Sequence, residues 1–269
     1  MAERIIGPSF RNVAAGSTAV LELPKNYTYH RVSLVYAEDG DLADAATMAN
    51  LERIRLKING VIMWEVTAAE MLAINQWKGH TLVDGYLNLF MSNPKAATRQ
   101  AKDQMALSLA NVNTAQIEVD IAAGVTNPTL VPHFEARKLI RNIGPIRKFR
   151  RYTATSAGSG DFVYNTLPLD DGFEALYLFS SLVTGVKVRR DQDVIFEAAA
   201  ADLDDIYALY ERTVPSNVFV VSNAPDHRLG DLIGTVVNGR NVTNFDLVIT
   251  TSGAGNIPII AEQIGPATR

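Results

Sequence analysis

The sequence predicts an all-β protein made of one domain written twice in tandem, with short inserted helices. Three observations carry this. A strand–turn–strand–helix unit recurs without a gap, shorter matches flank it in the same order, and short alternating strands run throughout in place of a βαβ rhythm.

The recurring unit is clearest at residues 54–77, IRLKINGVIMWEVTAAEMLAINQW. Ile54, Leu56 and Ile58 alternate as in a half-buried strand. Asn59-Gly60 predicts a tight hairpin, because both central residues of a type I′ turn take φ > 0. Val61–Val66 is the return strand. Thr67 with Glu70 three positions on predicts a capping box at the start of a helix. Residues 186–209, VKVRRDQDVIFEAAAADLDDIYAL, restate this at a constant offset of 132. Ile54 matches Val186, Leu56 matches Val188, Trp64 matches Phe196, Glu70 matches Asp202, Met71 matches Leu203 and Ile74 matches Ile206. Asp191-Gln192-Asp193 replaces the Asn-Gly turn. Leu203, Ile206, Tyr207 and Tyr210 give the second helix one apolar face. The pairs Trp64/Phe196 and Trp77/Leu209 are expected in the cores.

Outside this unit, Leu23-Pro24 and Tyr29 match Leu167-Pro168 and Phe173 (offset 144). Leu89–Asn93 matches Phe219–Asn223 (offset 130), and Ile117, Val119 and Ile121 match Phe245, Leu247 and Ile249 (offset 128). Ile-Gly-Pro begins at Ile6, Ile143 and Ile264, and reads as punctuation between copies. Two domains are therefore expected, over residues 1–142 and 143–269, each of ordinary domain size.

In the first copy, strands are expected at Ser17–Leu23, Tyr29–Tyr36, the hairpin, Tyr86–Ser92, Met105–Ala110, Gln116–Ala122 and Leu130–Phe134. A helical turn is expected at Ala43–Asn50, and a polar, helical or mobile stretch at Lys95–Asp103. In the second, strands are expected at Arg150–Thr155, Phe162–Leu167, Phe173–Phe179, Gly185–Arg190, Val194–Ala198, Asn217–Ser222, Asp231–Val237, Asn244–Thr251 and Ile257–Glu262, with a helix at Ala199–Glu211. About eight strands per copy, arranged in two sheets, make a jelly roll.

Composition removes several kinds of chemistry. With no Cys, disulfides, thiolate metal sites and Cys nucleophiles are excluded. A net charge of −4 gives no general drive toward nucleic acid, and no specific nucleic acid is expected as a partner. The N-terminus lacks the apolar core of a signal peptide, and no apolar run approaches the ~20 residues that span a bilayer, so a soluble protein is expected. His30, His80, His133 and His227 are scattered, without the His-x-His of a cupin metal site. No Gly-x-Ser-x-Gly elbow or Walker A loop is present. An enzyme is not expected, and no cofactor is implied. The metal reading is a structural calcium at Glu38, Asp39, Asp41 and Asp44, with Asp170-Asp171-Gly172 and Asp191/Asp193 as further acidic clusters, since acidic turns supply part of the 6–8 oxygen ligands calcium takes. A solvated turn is the plainer account of the same residues. The linker Arg137–Arg151 carries seven basic residues. It reads as a solvated connector paired with acids of the neighbouring copy, or as a face toward anionic lipid or nucleic acid. Its Leu139, Ile140 and Ile143 favour partial packing.

The tandem jelly rolls, the Ile-Gly-Pro-Ser-Phe start, the compact loops and the paired hairpin–helix units resemble the double jelly-roll major capsid proteins of the tectivirus–adenovirus lineage. Those of the corticoviruses, membrane-containing marine bacteriophages, are the most similar. The resemblance implies a homotrimer with a pseudo-hexagonal footprint, contacts with neighbouring capsomers and with vertex, spike and membrane-associated virion proteins, and an icosahedral shell around an internal membrane. It implies a place in the virion after synthesis in the host cytoplasm, and no catalytic residues. The alternatives are a minor or vertex capsid protein and a tandem carbohydrate-binding β-sandwich, the latter needing exposed aromatics.

Overall fold

The computed structural model describes residues 3–267, except 97, 139, 140, 192, 227, 228, 235, 238 and 239. Leu139, Ile140, Gln192 and His227 thus lie outside the described residues. The chain divides into two compact units. Unit 1 comprises Met1–Asn75, His80–Arg147 and Pro266–Arg269; unit 2 comprises Gln76–Gly79 and Lys148–Gly265.

The first-copy elements are β1 (Glu3–Ile6), β2 (Thr18–Glu22), β3 (Thr28–Glu38), β4 (Asp41–Leu42), α1 (Ala45–Met48), β5 (Leu51–Ile58), β6 (Val61–Val66), α2 (Ala68–Trp77), β7 (Tyr86–Phe90), α3 (Arg99–Asp103), β8 (Leu107–Ser108), β9 (Ala115–Ile121) and β10 (Thr129–Arg137). One sheet runs β2-β9-β5-β6 and the other β7-β3-β10-β1, with β4 and β8 also bonded to β3. The second-copy elements are β11 (Ile146–Ser156), β12 (Gly160–Tyr164), β13 (Gly172–Phe179), β14 (Val183–Arg190), β15 (Asp193–Ala199), α4 (Leu203–Ala208), β16 (Val218–Val221), β17 (Val236–Val237), β18 (Arg240–Asn241), β19 (Phe245–Thr251) and β20 (Gly255–Gly265). Its sheets run β12-β19-β14-β15 and β16-β13-β20-β11.

These orders superimpose strand for strand, and the duplication extends to an irregularity. Between β3 and β10 the register runs Arg31↔Glu135, then Tyr29↔Ala136, which leaves His30 as a bulge. Between β13 and β20 it runs Ala175↔Glu262, then Phe173↔Gln263, which leaves Glu174 as the bulge. An inserted residue at the same point of two ladders is a shared feature of design, since bulges re-aim side chains.

Local chemistry explains the recurring unit. The first hairpin closes at Ile58↔Val61, with Asn59 at φ 51 and Gly60 at φ 80. The Asn59 side chain also accepts from the backbone N–H of Asn113 and Thr114. The capping box forms: Glu70 Oε2 accepts from Thr67 N–H at 2.8 Å, and Thr67 Oγ1 accepts from Glu70 N–H at 3.1 Å. In the second copy the hairpin closes at Arg190↔Asp193, with Asp191 at φ 56. Asp191 Oδ1 accepts from Thr243 and Asn244, which holds its carboxyl below the ordinary carboxylate range.

Between its sheets each unit buries an apolar layer. Leu21, Val32, Leu34, Ile54, Leu56, Ile117 and Phe134 lie in unit 1; Phe173, Leu176, Val188, Phe219, Leu247 and Ile259 lie in unit 2. Tyr29 meets Phe134 edge-on at 5.2 Å, and Phe173 stacks on Phe245 at 5.3 Å.

Several expectations change. β1 lies outside the expected strands and pairs with β10, and of Met105–Ala110 only Leu107–Ser108 is strand, paired with β3. The Asp231–Val237 stretch opens with the end of a 3-10 turn (Leu229–Asp231) and keeps only the two residues of β17, because Gly234 interrupts the alternation. The second helix is a 3-10 turn (Ala200–Asp202) followed by α4, shorter than Ala199–Glu211. The three Ile-Gly-Pro sites are not equivalent: one follows β1, one precedes β11 and one closes β20. Two of the glycines are demanded by close approach. A Cβ on Gly7 would collide with the Phe134 ring, and one on Gly265 with the Asp171 carboxylate, whereas Gly144 has open space.

Candidate functional site

The acidic turn is committed to local structure. Glu38 Oε1 accepts from Tyr36 Oη at 2.5 Å and from Asn50 Nδ2 at 2.7 Å. Asp39 Oδ1 accepts from Asn127 Nδ2 at 2.7 Å, Asp41 is exposed in β4, and Asp44 caps α1 through Thr47 N–H at 2.7 Å. Among the described residues, no three His, Asp or Glu side chains converge as a metal-ligating group.

The basic linker is packed only in part: Ile146–Phe149 is buried, whereas Lys138, Arg141, Asn142, Gly144 and Pro145 are exposed, so the solvated-connector reading is corrected for Arg147 and Lys148. Arg147 and Lys148 are buried. Arg147 donates to the carbonyls of Phe90 and Ser92, and Lys148 meets Asp171 at 2.8 Å. Arg137 pairs with Asp103 at 2.6 Å, and Arg141 donates to the Asp103 carbonyl. Trp64 Nε1 donates to Arg147 O at 2.6 Å. The charges of Arg137, Arg147 and Lys148 are thus used within the fold. Arg137 and Asp103 also surround buried His30, whose Nδ1 lies 3.5 Å from Asp103. Burial, the largest influence, pushes the His30 pKa below its ordinary value against the opposing pull of Asp103.

A second charged cluster was not anticipated. Residues 76–79, which complete unit 2, carry Trp77 and Lys78 into its interior. Lys78 Nζ contacts Glu262 and lies 3.4 Å from Glu174; these carboxylates are 0% and 1% exposed. Tyr177 Oη donates to the other Glu262 oxygen at 2.8 Å. Trp77 packs edge-on to Tyr177 and Tyr207, with the Arg212 guanidinium 5.6 Å from its ring. Arg212 donates to the Pro225 and Lys78 carbonyls. The sequence signal for this site was a lone acid inside each of two apolar strands, GFEALYLF and IPIIAEQIG.

The outer face of the β7-β3-β10-β1 sheet in unit 1 is an open groove of about 630 Å³, lined in part by Arg4, Ile6, Arg31, Ser33, Val83 and Glu135. Arg31 meets Glu135 at 3.1 Å, and Ser33 donates to Asn88 at 2.6 Å. Ile6 and Val83 are 72% and 53% exposed on its rim. In unit 2, Leu203 and Tyr207 of α4 are buried, but Ile206, Leu209 and Tyr210 are 36%, 86% and 45% exposed. The expected core place of Leu209 is thus corrected, and Phe196 is half-buried, whereas Trp64 and Trp77 lie in the interior as expected.

Residues 5–136 match the family of the viral coat protein P2 N-terminal domain, and residues 146–267 that of its C-terminal domain. The chain is a viral coat protein of the P2 family. Its role is accordingly structural, not enzymatic, and its place is the viral coat. Among solved structures it is similar to the major capsid protein P2 of bacteriophage PM2, with 18% identity over 98% of this chain and 97% of that one and a TM-score of 0.89. The major capsid protein of Sulfolobus Turreted Icosahedral Virus follows with 11% identity over 98% and 96% of the two chains and a TM-score of 0.69. The PBCV-1 virus capsid shares 11% identity over 98% and 93%, with a TM-score of 0.65. No curated protein sequence matches. At these identities the likeness is one of fold, and the coat protein has the expected double jelly roll.

Proposed function

We propose that this coat protein is the major capsid protein of a tailless icosahedral virus, and that three copies close into a capsomer with a pseudo-hexagonal footprint. The observation that carries this is the strand-for-strand equivalence of the two units, down to the bulges at His30 and Glu174. Two equivalent domains per chain turn a three-fold ring into a near six-fold one, so that the capsomer sits among six neighbours. Cyclic closure is the usual way identical chains form a finite assembly. Such capsomers would tile a shell around an internal membrane and meet separate vertex proteins at its corners. No helix among the described residues is long and apolar enough to cross a membrane, so in this reading the chain lies over the bilayer.

Light scattering on a sizing column tests the oligomer. Three chains of 29.3 kDa give about 88 kDa. A single-chain mass at high concentration would refute the trimer.

A further inference from the structure

Unit 2 has a filled socket, and the duplication marks its counterpart in unit 1. At the offset of 132, Trp77 and Lys78 correspond to Leu209 and Tyr210. Trp77 and Lys78 are buried against Tyr177 and Glu262, whereas Leu209 and Tyr210 stand exposed. The two ladders pair Ala175 with Glu262 and Arg31 with Glu135, so Glu135 occupies the place of Glu262; by the same register Ser33 occupies that of Tyr177. Arg31, Ser33 and Glu135 all line the open groove of unit 1. One helix end is therefore seated in its socket, and the equivalent helix end and the equivalent socket are both unoccupied.

We infer that Leu209 and Tyr210 of one copy insert into the groove of unit 1 on a second copy of this chain. The inference rests on the capsomer reading and deepens it by naming the contact that closes the ring. Tyr210 brings a phenol to Glu135, as Lys78 brings an ammonium to Glu262. Leu209 covers Ile6 and Val83, so that exposed apolar side chains on both faces leave water together. Charge agrees as well. α4 and its flanks present Asp202, Asp204, Asp205 and Glu211, all exposed, and the groove presents Arg4 and Arg31 against one glutamate. The contact is head-to-tail, joining different surfaces on the two partners, which is the type that generates closed rings.

Two variants of the full chain test it. Leu209→Asp replaces a side chain that is 86% exposed, so the fold should remain and be verified by circular dichroism. Its mass should fall threefold, from about 88 kDa to the 29.3 kDa of one chain. The double variant Tyr210→Cys/Glu135→Cys has no competing thiols, because the chain has no Cys. A short bismaleimide should link it into dimers and trimers on a denaturing gel, and neither single variant should form trimers. A trimeric wild type whose double variant stays unlinked, with Leu209→Asp still trimeric, would overturn this contact and leave the capsomer reading standing. A monomeric wild type would overturn both.

Discussion

Lys78→Met is the sharpest test of how unit 2 is held together. The substitution keeps most of the side-chain volume and removes the charge shared by Glu174 and Glu262, both essentially without solvent access. Breaking a buried ion pair from one side costs about 3–5 kcal/mol, because the remaining charge stays buried without that partner. Tyr177 still donates to Glu262 at 2.8 Å, which places the expected loss near the lower bound, about 3 kcal/mol. With a urea slope of about 2 kcal/mol per molar, the midpoint should fall by about 1.5 M. The assay is urea unfolding at neutral pH, followed by the fluorescence of Trp77 in a Trp64→Phe background, since these are the chain's two tryptophans and Trp77 reports on unit 2. Glu262→Gln added to Lys78→Met should recover part of the loss, because a neutral amide is cheaper to bury than a carboxylate. A midpoint shift below about 0.5 M at unchanged slope would refute the reasoning, since that is under half the loss a broken buried pair implies.

Three further outcomes are expected. His30 is held below its ordinary pKa of 6.5, so the unfolded chain binds the proton first; stability should be full above that value and decline as pH falls below it. Among its neighbours Asp103, Arg137, Glu135 and Arg141, the carboxylates oppose this and the arginines reinforce it, and thermal melts of His30→Gln should show a flatter profile in that window. Tyr207→Phe leaves Ser222 N–H and the Val220 and Ser222 carbonyls short of a buried partner. It should cost about 1–3 kcal/mol in chemical denaturation. EDTA should leave the melting temperature of the isolated protein unchanged, because Glu38, Asp39 and Asp44 already have protein donors; a drop of several degrees restored by calcium would contradict this.

The readable parts of the sequence were those governed by neighbours in the chain. Asn59-Gly60 and Thr67–Glu70 act through backbone φ and short-range hydrogen bonds, so their residue types suffice to identify the hairpin and the cap. Offsets of 132, 130 and 128 revealed the duplication because strands tolerate substitution while loops change length. β1 was missed because four residues, ERII, carry no alternation of their own and become a strand only beside β10. Arg147 and Lys148 read as linker charges, and nothing in the sequence singles out Lys78, because isolated Lys and Arg are seldom buried. The acids that meet the two lysines, Asp171 just before β13, Glu174 in β13 and Glu262 in β20, are distant in the chain, and no local pattern links them. Leu209 shows the opposite limit. The repeat pairs it with buried Trp77, but equivalence in a repeat does not say whether the same chain covers the position.

Negative-stain electron microscopy of the purified oligomer tests the capsomer most directly. Class averages viewed down the three-fold axis should show six lobes in a near-hexagonal outline, two per chain. A three-lobed or open, unclosed particle would contradict the equivalence of the two units on which the account stands.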